Sequence, residues 1–191
     1  SIACDLGFAV PDTLVTNDLR QARCFLSKGT CVAKPLRQAL LEEYGEERVI
    51  FTTRLGEFGE TDEARVAAAP VIFQREIHKR SDIRATVIGN IVYATEILSQ
   101  EHEETKTDWR RDSRPDLPHR CHELPDTLRR QCVKLVQTLG LRFGAVDLVL
   151  DQDGRYWFLE VNPNGQWAWI ESRTGLPLSR AIVDELERIA A

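Results

Sequence analysis

Asp147, Glu160 and Asn162 are the residues of this 191-residue chain whose types and spacing most directly suggest chemistry. They flank Asp153-Gly154, a dipeptide suited to a two-residue type I′ hairpin turn. That turn fixes a register in which Gln152 faces Arg155, Leu150 faces Trp157, Leu148 faces Leu159 and Val146 faces Val161. This face is apolar at its inner pairs and is expected to be buried, Trp157 with it. The other face pairs Val149 with Phe158, Asp147 with Glu160 and Ala145 with Asn162. Facing carboxylates on adjacent strands, with β-carbons about 4.5–5.5 Å apart, repel each other unless a proton or a cation lies between them. Three oxygen donors without Cys or His suit magnesium, with manganese as the alternative, and magnesium would keep positions for water and phosphate oxygens. The competing reading is a solvent-facing sheet surface that carries two ordinary acids.

A second hairpin is expected just upstream, with Ile83–Ile88 and Ile91–Ile97 joined by Gly89-Asn90 in a two-residue type II′ turn. Strand alternation puts Ile83, Ala85 and Val87 on one face and Asp82, Arg84 and Thr86 on the other. One face is core; the other carries an acid and a base. Earlier in the chain, Asp18 caps a short amphipathic helix that runs to Leu26, and strands are expected over 30–34, 49–53 and 70–74. Residues 36–48 read as a mobile loop or short helix, and Ala64–Ala69 as a charged, Ala-rich connector between two lobes. Residues 100–123 read as a long polar surface loop. Helices follow over 125–139, stopped by Gly140, and over 178–189. Ser1–Gly7 resembles the end of a helix already under way and the chain has no methionine, so a further segment is expected upstream.

A net charge of −5 gives no basic patch for a nucleic acid, and no apolar run nears the roughly 20 residues of a membrane helix. Five cysteines, an odd number without a C-x-x-C pair, point to reduced thiols and a cytoplasmic protein. His102, His119, Cys121 and His122 lack a standard zinc spacing, and no G-x-x-x-x-G-K-[ST] loop is present.

The strings GAVDLVL and FLEVNPNGQW, with Asp147, Glu160 and Asn162 in them, resemble the metal-binding hairpin of the ATP-grasp superfamily. NPNGQW, Trp169-Ile170-Glu171, Thr174-Gly175-Leu176-Pro177, Thr107-Asp108-Trp109-Arg110 and the stretch Gly7–Asn17 resemble a narrower group. They are similar to the ATP-grasp maturases of ribosomally made peptides, the graspetide or microviridin-type synthetases. This resemblance implies an α+β, ATP-grasp fold with ATP bound between two lobes, 1–70 and 71–191. It implies that Lys34 meets the ATP phosphates, that the backbone of Gln74, Arg75, Glu76 and Ile77 meets the adenine edge, and that Asp82 lies near the ribose. Arg75 stands where relatives usually carry an acid, so a backbone role is expected there. Arg84 and Arg110 are the arginines expected at the γ-phosphate and the acyl-phosphate, where a planar guanidinium suits oxyanions. Arg111 is expected to be a solvated loop residue. Another ATP-contacting lysine and an N-terminal domain are expected before Gly7.

By the same resemblance, the cofactors are ATP and magnesium, two ions expected, and the partner is a precursor peptide, with a homodimer left open. An Asp or Glu side chain of that peptide would be activated as an acyl-phosphate. A Ser, Thr or Lys side chain would then close an ester or amide ring. The rival readings are an ATP-grasp ligase adding an amino acid to a protein or small acid, and a nucleotide-binding module without catalysis.

Overall fold

The computed structural model describes residues 1–36, 40–43, 46–59, 62–111 and 117–190, the side chains of 40–43 and 46–49 excepted. In chain order its elements are α1 (Ile2–Asp5), β1 (Thr13–Thr16), α2 (Leu19–Leu26), β2 (Cys31–Pro35), β3 (Leu40–Glu43), β4 (Glu46–Val49), β5 (Thr53–Arg54), α3 (Asp62–Ala67) and β6 (Val71–Arg75). Then come β7 (Lys79–Ile88), β8 (Ile91–Ile97), two 3-10 turns, β9 (His119–His122), α4 (Asp126–Thr138), β10 (Phe143–Asp151), β11 (Tyr156–Asn162), α5 (Ala168–Thr174) and α6 (Leu178–Ala190). Helices and antiparallel sheets segregate in the manner of an α+β fold.

The chain forms two compact units. The smaller holds residues 11–77 and 102–113. Its four-stranded sheet runs β1-β6-β2-β5, and β3 pairs with β4 apart from it. Asp18 caps α2 by accepting from the N–H groups of Arg20 and Gln21. The lobe boundary expected at residue 70 falls instead after Ile77, because β6 lies between β1 and β2 and cannot leave their sheet. The described part of 36–48 is extended, β3 and β4, rather than loop or helix; residues 37–39 and 44–45 lie outside the described residues. The strand expected over 49–53 splits between the end of β4 and the start of β5, and the connector at 64–69 is largely helix α3.

The larger unit holds residues 1–10, 78–101 and 114–191 around a five-stranded sheet ordered β11-β10-β7-β8-β9. One sheet face presents Ile83, Ala85, Val87, Val146, Leu148 and Leu150 to Leu128, Cys132, Leu135 and Val136 of α4. Those four recur at helical spacing, and Gly140, at φ 72°, ends the turn. Gly144 lets strand and helix approach: a Cβ there would meet Val136 Cγ2 at 2.9 Å. Near the other end of this face Glu96, 2% exposed, accepts from Ser81 Oγ at 2.7 Å and Arg120 Nε at 2.9 Å. His122 lies against it, Nδ1 at 3.3 Å, and its other nitrogen bonds the Tyr156 hydroxyl at 2.8 Å. Burial pushes the Glu96 pKa up, but these hydroxyl and cationic partners outweigh it and hold it below the usual range.

The metal-hairpin register holds where it matters and differs near the turn. Asp147 pairs with Glu160 and Ala145 with Asn162, as expected. At the turn, Asp151 N–H donates to Arg155 O and Gly154 sits at φ 81°, which makes a three-residue loop. A bulge at Leu159 then restores the pairing, so two one-residue shifts cancel before Asp147. Between them the side chains are reversed. Tyr156 and Phe158 pack on the core, and Trp157, expected there, lies on the opposite face with its indole N–H on Asp151 Oδ2 at 2.7 Å. The stretch 100–123 is also not a plain loop. It contains the two 3-10 turns and edge strand β9, and buries Thr105 and Asp108; residues 112–116 lie outside the described residues.

Candidate functional site

Strand pairing lines up three charges on the sheet face away from α4. Asp147 of β10 is the partner of both Arg84 on β7 and Glu160 on β11. The next row is Thr86, Ala145 and Asn162. Arg84 is 7% exposed, and its Nε lies 2.9 Å from Asp147 Oδ1. The protein thus supplies one cation to the pair of carboxylates itself. Glu160 and Asn162 are exposed. Asn162 Oδ1 accepts from Asn164 N–H at 2.9 Å, and an amide oxygen with two lone pairs retains capacity for a second partner. Two carboxylates and one amide oxygen on one sheet face fit a hard divalent cation with few protein ligands. Among the described residues no group of three or more His, Cys, Asp or Glu could hold a metal. In particular, alternation along β9 sends His119 and Cys121 to one face and His122 to the other.

The loop after Asn162 closes over this row. Gly165 N–H donates to Asn162 O at 3.3 Å. A Cβ on Gly165 would collide with the Ala145 Cβ and come within 3.2 Å of Arg84 Nη1. Two small residues therefore let backbone lie against the arginine. Trp169 of α5 follows, its ring centroid 6.0 Å from Arg84 Cζ. Trp167 and Trp169 both pack on a second apolar cluster built around Ile88, Ile170, Leu178 and Ala181.

In the smaller unit Lys34 and Gln74 share a sheet face, since Val32 pairs with Gln74 and Lys34 with Ile72. Lys34 Nζ donates to Gln74 Oε1 at 2.8 Å, and Gln74 Nε2 donates to Thr13 Oγ1 at 2.9 Å. The side chain of Arg75 turns away from any adenine role: it caps the end of α2 on the Gly29 and Phe25 carbonyls and lies over the Phe25 ring. Glu76 is held by Arg54 through contacts of 2.6 and 2.8 Å. The N–H groups of Arg75 and Glu76 donate to Asp12 O and Thr30 O. Of the hinge residues, Ile77 follows directly on these.

Asp82 and Lys79 form a buried pair in the larger unit, Nζ to Oδ2 2.7 Å, with both side chains 8% exposed. Arg110 belongs to the smaller unit, not to the second lobe that the sequence suggested. Its Nε and Nη2 donate to Asp108 at 2.9 Å each, and Asp108 also accepts the N–H groups of Thr52 and Arg110. Burial would raise the Asp108 pKa, but these bonds and the Arg110 charge outweigh it and lower it to about 2. Arg111 is more than a solvated loop residue: it donates to Thr52 O and Thr53 Oγ1 and lies over Phe51. Sequence reasoning gave no role to Lys79 or Asp108. Asp108 stood only as part of the string Thr107-Asp108-Trp109-Arg110, and Lys79 carried no signal beyond an opposite charge three residues away.

A model of the RimK-like ATP-grasp domain matches residues 11–186, and the chain belongs to that family. Its fold is similar to those of solved ligases associated with ribosomally made peptides. A Chryseobacterium gregarium RiPP-associated ATP-grasp ligase, in complex with ADP and a leader and core peptide, is 33% identical with a TM-score of 0.90 over 100% of this chain and 58% of its own. The macrocyclase MdnC of Microcystis aeruginosa MRC, bound with precursor peptide MdnA, is 28% identical at TM-score 0.78, covering 98% of this chain and 57% of that one. The ATP-grasp ligase PsnB, complexed with minimal precursor, Mg and ADP, is 27% identical at TM-score 0.72 over 97% and 56%. A probable alpha-L-glutamate ligase of Cellvibrio japonicus (strain Ueda107) is 31% identical over 110 residues, 58% of this chain and 35% of its own. The chain thus spans a little over half the length of the structures it resembles.

Proposed function

We propose that this chain is the catalytic part of an ATP-dependent ligase that activates Asp or Glu side chains of a ribosomally made precursor peptide and closes intramolecular ester or amide links. The Arg84–Asp147–Glu160 row with Asn162 beside it carries this reading, because it joins metal-ligand chemistry to a buried guanidinium on one sheet face. Asp147, Glu160 and Asn162 would hold magnesium, which would offset the negative charge of the nucleotide phosphates there. Lys34 meets phosphate as a compact cation oriented by Gln74. Ile77 reads the adenine edge through its backbone, since the neighbouring N–H groups are committed. Asp82, fixed by Lys79, accepts from the ribose.

Arg84 stabilises charge on the transferred phosphoryl group, and Arg110, pre-set by Asp108, does the same for the acyl-phosphate. The peptide carboxylate attacks the γ-phosphorus of ATP and ADP leaves. A hydroxyl or amine of the same peptide then attacks the acyl carbon, loses its proton, and phosphate leaves. Support comes from the peptide-bound relatives at 27–33% identity. The match to a probable alpha-L-glutamate ligase favours a second reading, transfer of a free amino acid to a carboxylate acceptor.

Mass spectrometry of a precursor peptide incubated with the protein and MgATP separates them. Loss of one water mass per ring, abolished in Asp147→Asn, is the expected result. A gain of one amino-acid residue mass would support the second reading, and no mass change with either acceptor class would sink both.

A further inference from the structure

Arg173 of α5 is an exposed cation without a carboxylate partner among the described residues, and its surroundings are built rather than loose. Its Nη1 lies 3.1 and 3.2 Å from the two ring nitrogens of His119, so the guanidinium rests on the imidazole. His119 in turn meets Trp169 edge to face at 5.2 Å, and Arg173 Cζ stands 5.6 Å from the Trp169 centroid. The same indole lies 6.0 Å from Arg84 Cζ, so one ring is flanked by two guanidinium groups. His119 Nδ1 bonds Leu117 O at 2.5 Å, and Arg173 Nη1, almost equidistant from the two ring nitrogens, lies over the ring face rather than on a nitrogen lone pair. Burial first, and the Arg173 charge with it, lowers the His119 pKa against the Leu117 carbonyl, which raises it. Thr95 supplies an independent sign. It sits between Arg84 and Cys121 in the strand row beneath α5, is 0% exposed, and its hydroxyl has no hydrogen-bond partner among the described residues.

Of the two arginines, Arg84 already faces Asp147, whereas Arg173 has no carboxylate partner among the described residues. The geometry points to Arg173, seated on His119 and Trp169, as a specificity-determining position that takes an acidic side chain of the peptide substrate beside the reacting carboxylate's site. A carboxylate is the fitting ligand because a guanidinium offers it paired donors while the aromatic rings cover the methylene stem. This rests on the proposed function, from which it takes a peptide substrate, and adds a second carboxylate-recognition position.

The test is an NMR titration of the protein with the capped peptide acetyl-Gly-Glu-Gly-amide and its glutamine counterpart, read at the Trp169 indole and the His119 ring. The glutamate peptide is expected to bind about tenfold more tightly than the glutamine one, as one charge-assisted contact implies. Arg173→Gln should reduce that preference to less than twofold, and Arg173→Lys should keep most of it. Equal affinity for the two peptides overturns the assignment. So does Arg173→Gln weakening both alike, which would mark Arg173 as a clamp of α5 on β9. Titrating MgADP into the same sample keeps the parent reading separate: binding of MgADP with no glutamate preference sinks the subsite alone. A glutamate preference without MgADP binding sinks the nucleotide reading and leaves the subsite.

Discussion

At the scale of single residues, two acids serve cations of the protein itself. Asp147 faces Arg84, and Asp108 holds Arg110 while accepting the Thr52 amide. Asp108 is 3% exposed, so its bonds are shielded from water, unlike those of a surface pair. Its pKa of about 2 lies below the ordinary value of 3.8. The unfolded chain therefore binds more protons between these values, and stability rises with pH across them. The contribution, about 2 kcal/mol by linkage, is full above pH ~5 and fades as pH falls toward 2. Asp108→Asn should remove that part of the acid limb, leaving a flatter loss of stability between pH 5 and 2 in urea titrations. An unchanged acid limb would show that Asp108 is not held as described. On the proposed function, the same variant should also lower the rate of peptide ring closure, because Arg110 loses the group that orients it.

The elements show how local errors of one residue can cancel or propagate. In the β10–β11 hairpin a wider turn and a bulge offset each other, so Asp147 still meets Glu160 while Trp157 changes face. The loop that follows β11 depends on absent side chains: Gly165 lies against Ala145 and Arg84 Nη1. Gly165→Ala is expected to cost roughly 1–3 kcal/mol by overpacking, seen as a lowered urea midpoint with an unchanged slope. Adding Ala145→Gly should restore part of the loss, since it removes the atom that the new methyl meets. A neutral Gly165→Ala would mean that the loop moves without cost and does not fix Arg84. On the reverse face, Ser81, Glu96, Arg120, His122 and Tyr156 bring polar groups from β7, β8, β9 and β11 together, although they are scattered along the chain.

For the whole molecule, segment 102–113 leaves one compact unit and rejoins the other, so Arg110 travels with the sheet that bears Lys34. Arg84, Asp147, Glu160 and Asn162 belong to the larger unit. A ligand that binds only the folded state stabilises all of it by mass action. MgADP at one hundred times its Kd is expected to add about 2.7 kcal/mol, a Tm rise of roughly 5–10 °C for a chain of this size. Replacing magnesium with EDTA, or Asp147 with Asn, should remove most of that rise in a thermal melt. A Tm indifferent to MgADP would contradict the nucleotide-binding reading. No helix among the described residues is long and apolar enough to cross a membrane.

The sequence by itself determined the pairing of Asp147 with Glu160, the faces of Ile83–Ile88, the helices expected over 125–139 and 178–189, found within a residue at each end, and the family likeness. These follow from periods of 2 and 3.6 residues and from turn dipeptides, which are local properties. Only the tertiary structure decided that β6 belongs with β1 and β2, that Arg84 neutralises Asp147, and that Asp108 orients Arg110. It also decided that Arg75 turns from the hinge to the end of α2. Each of these joins residues whose order along the chain is silent about their meeting, or chooses between rotamers of a long side chain. Burial and the partner found there set the outcome, and neither is a property of a short stretch of sequence.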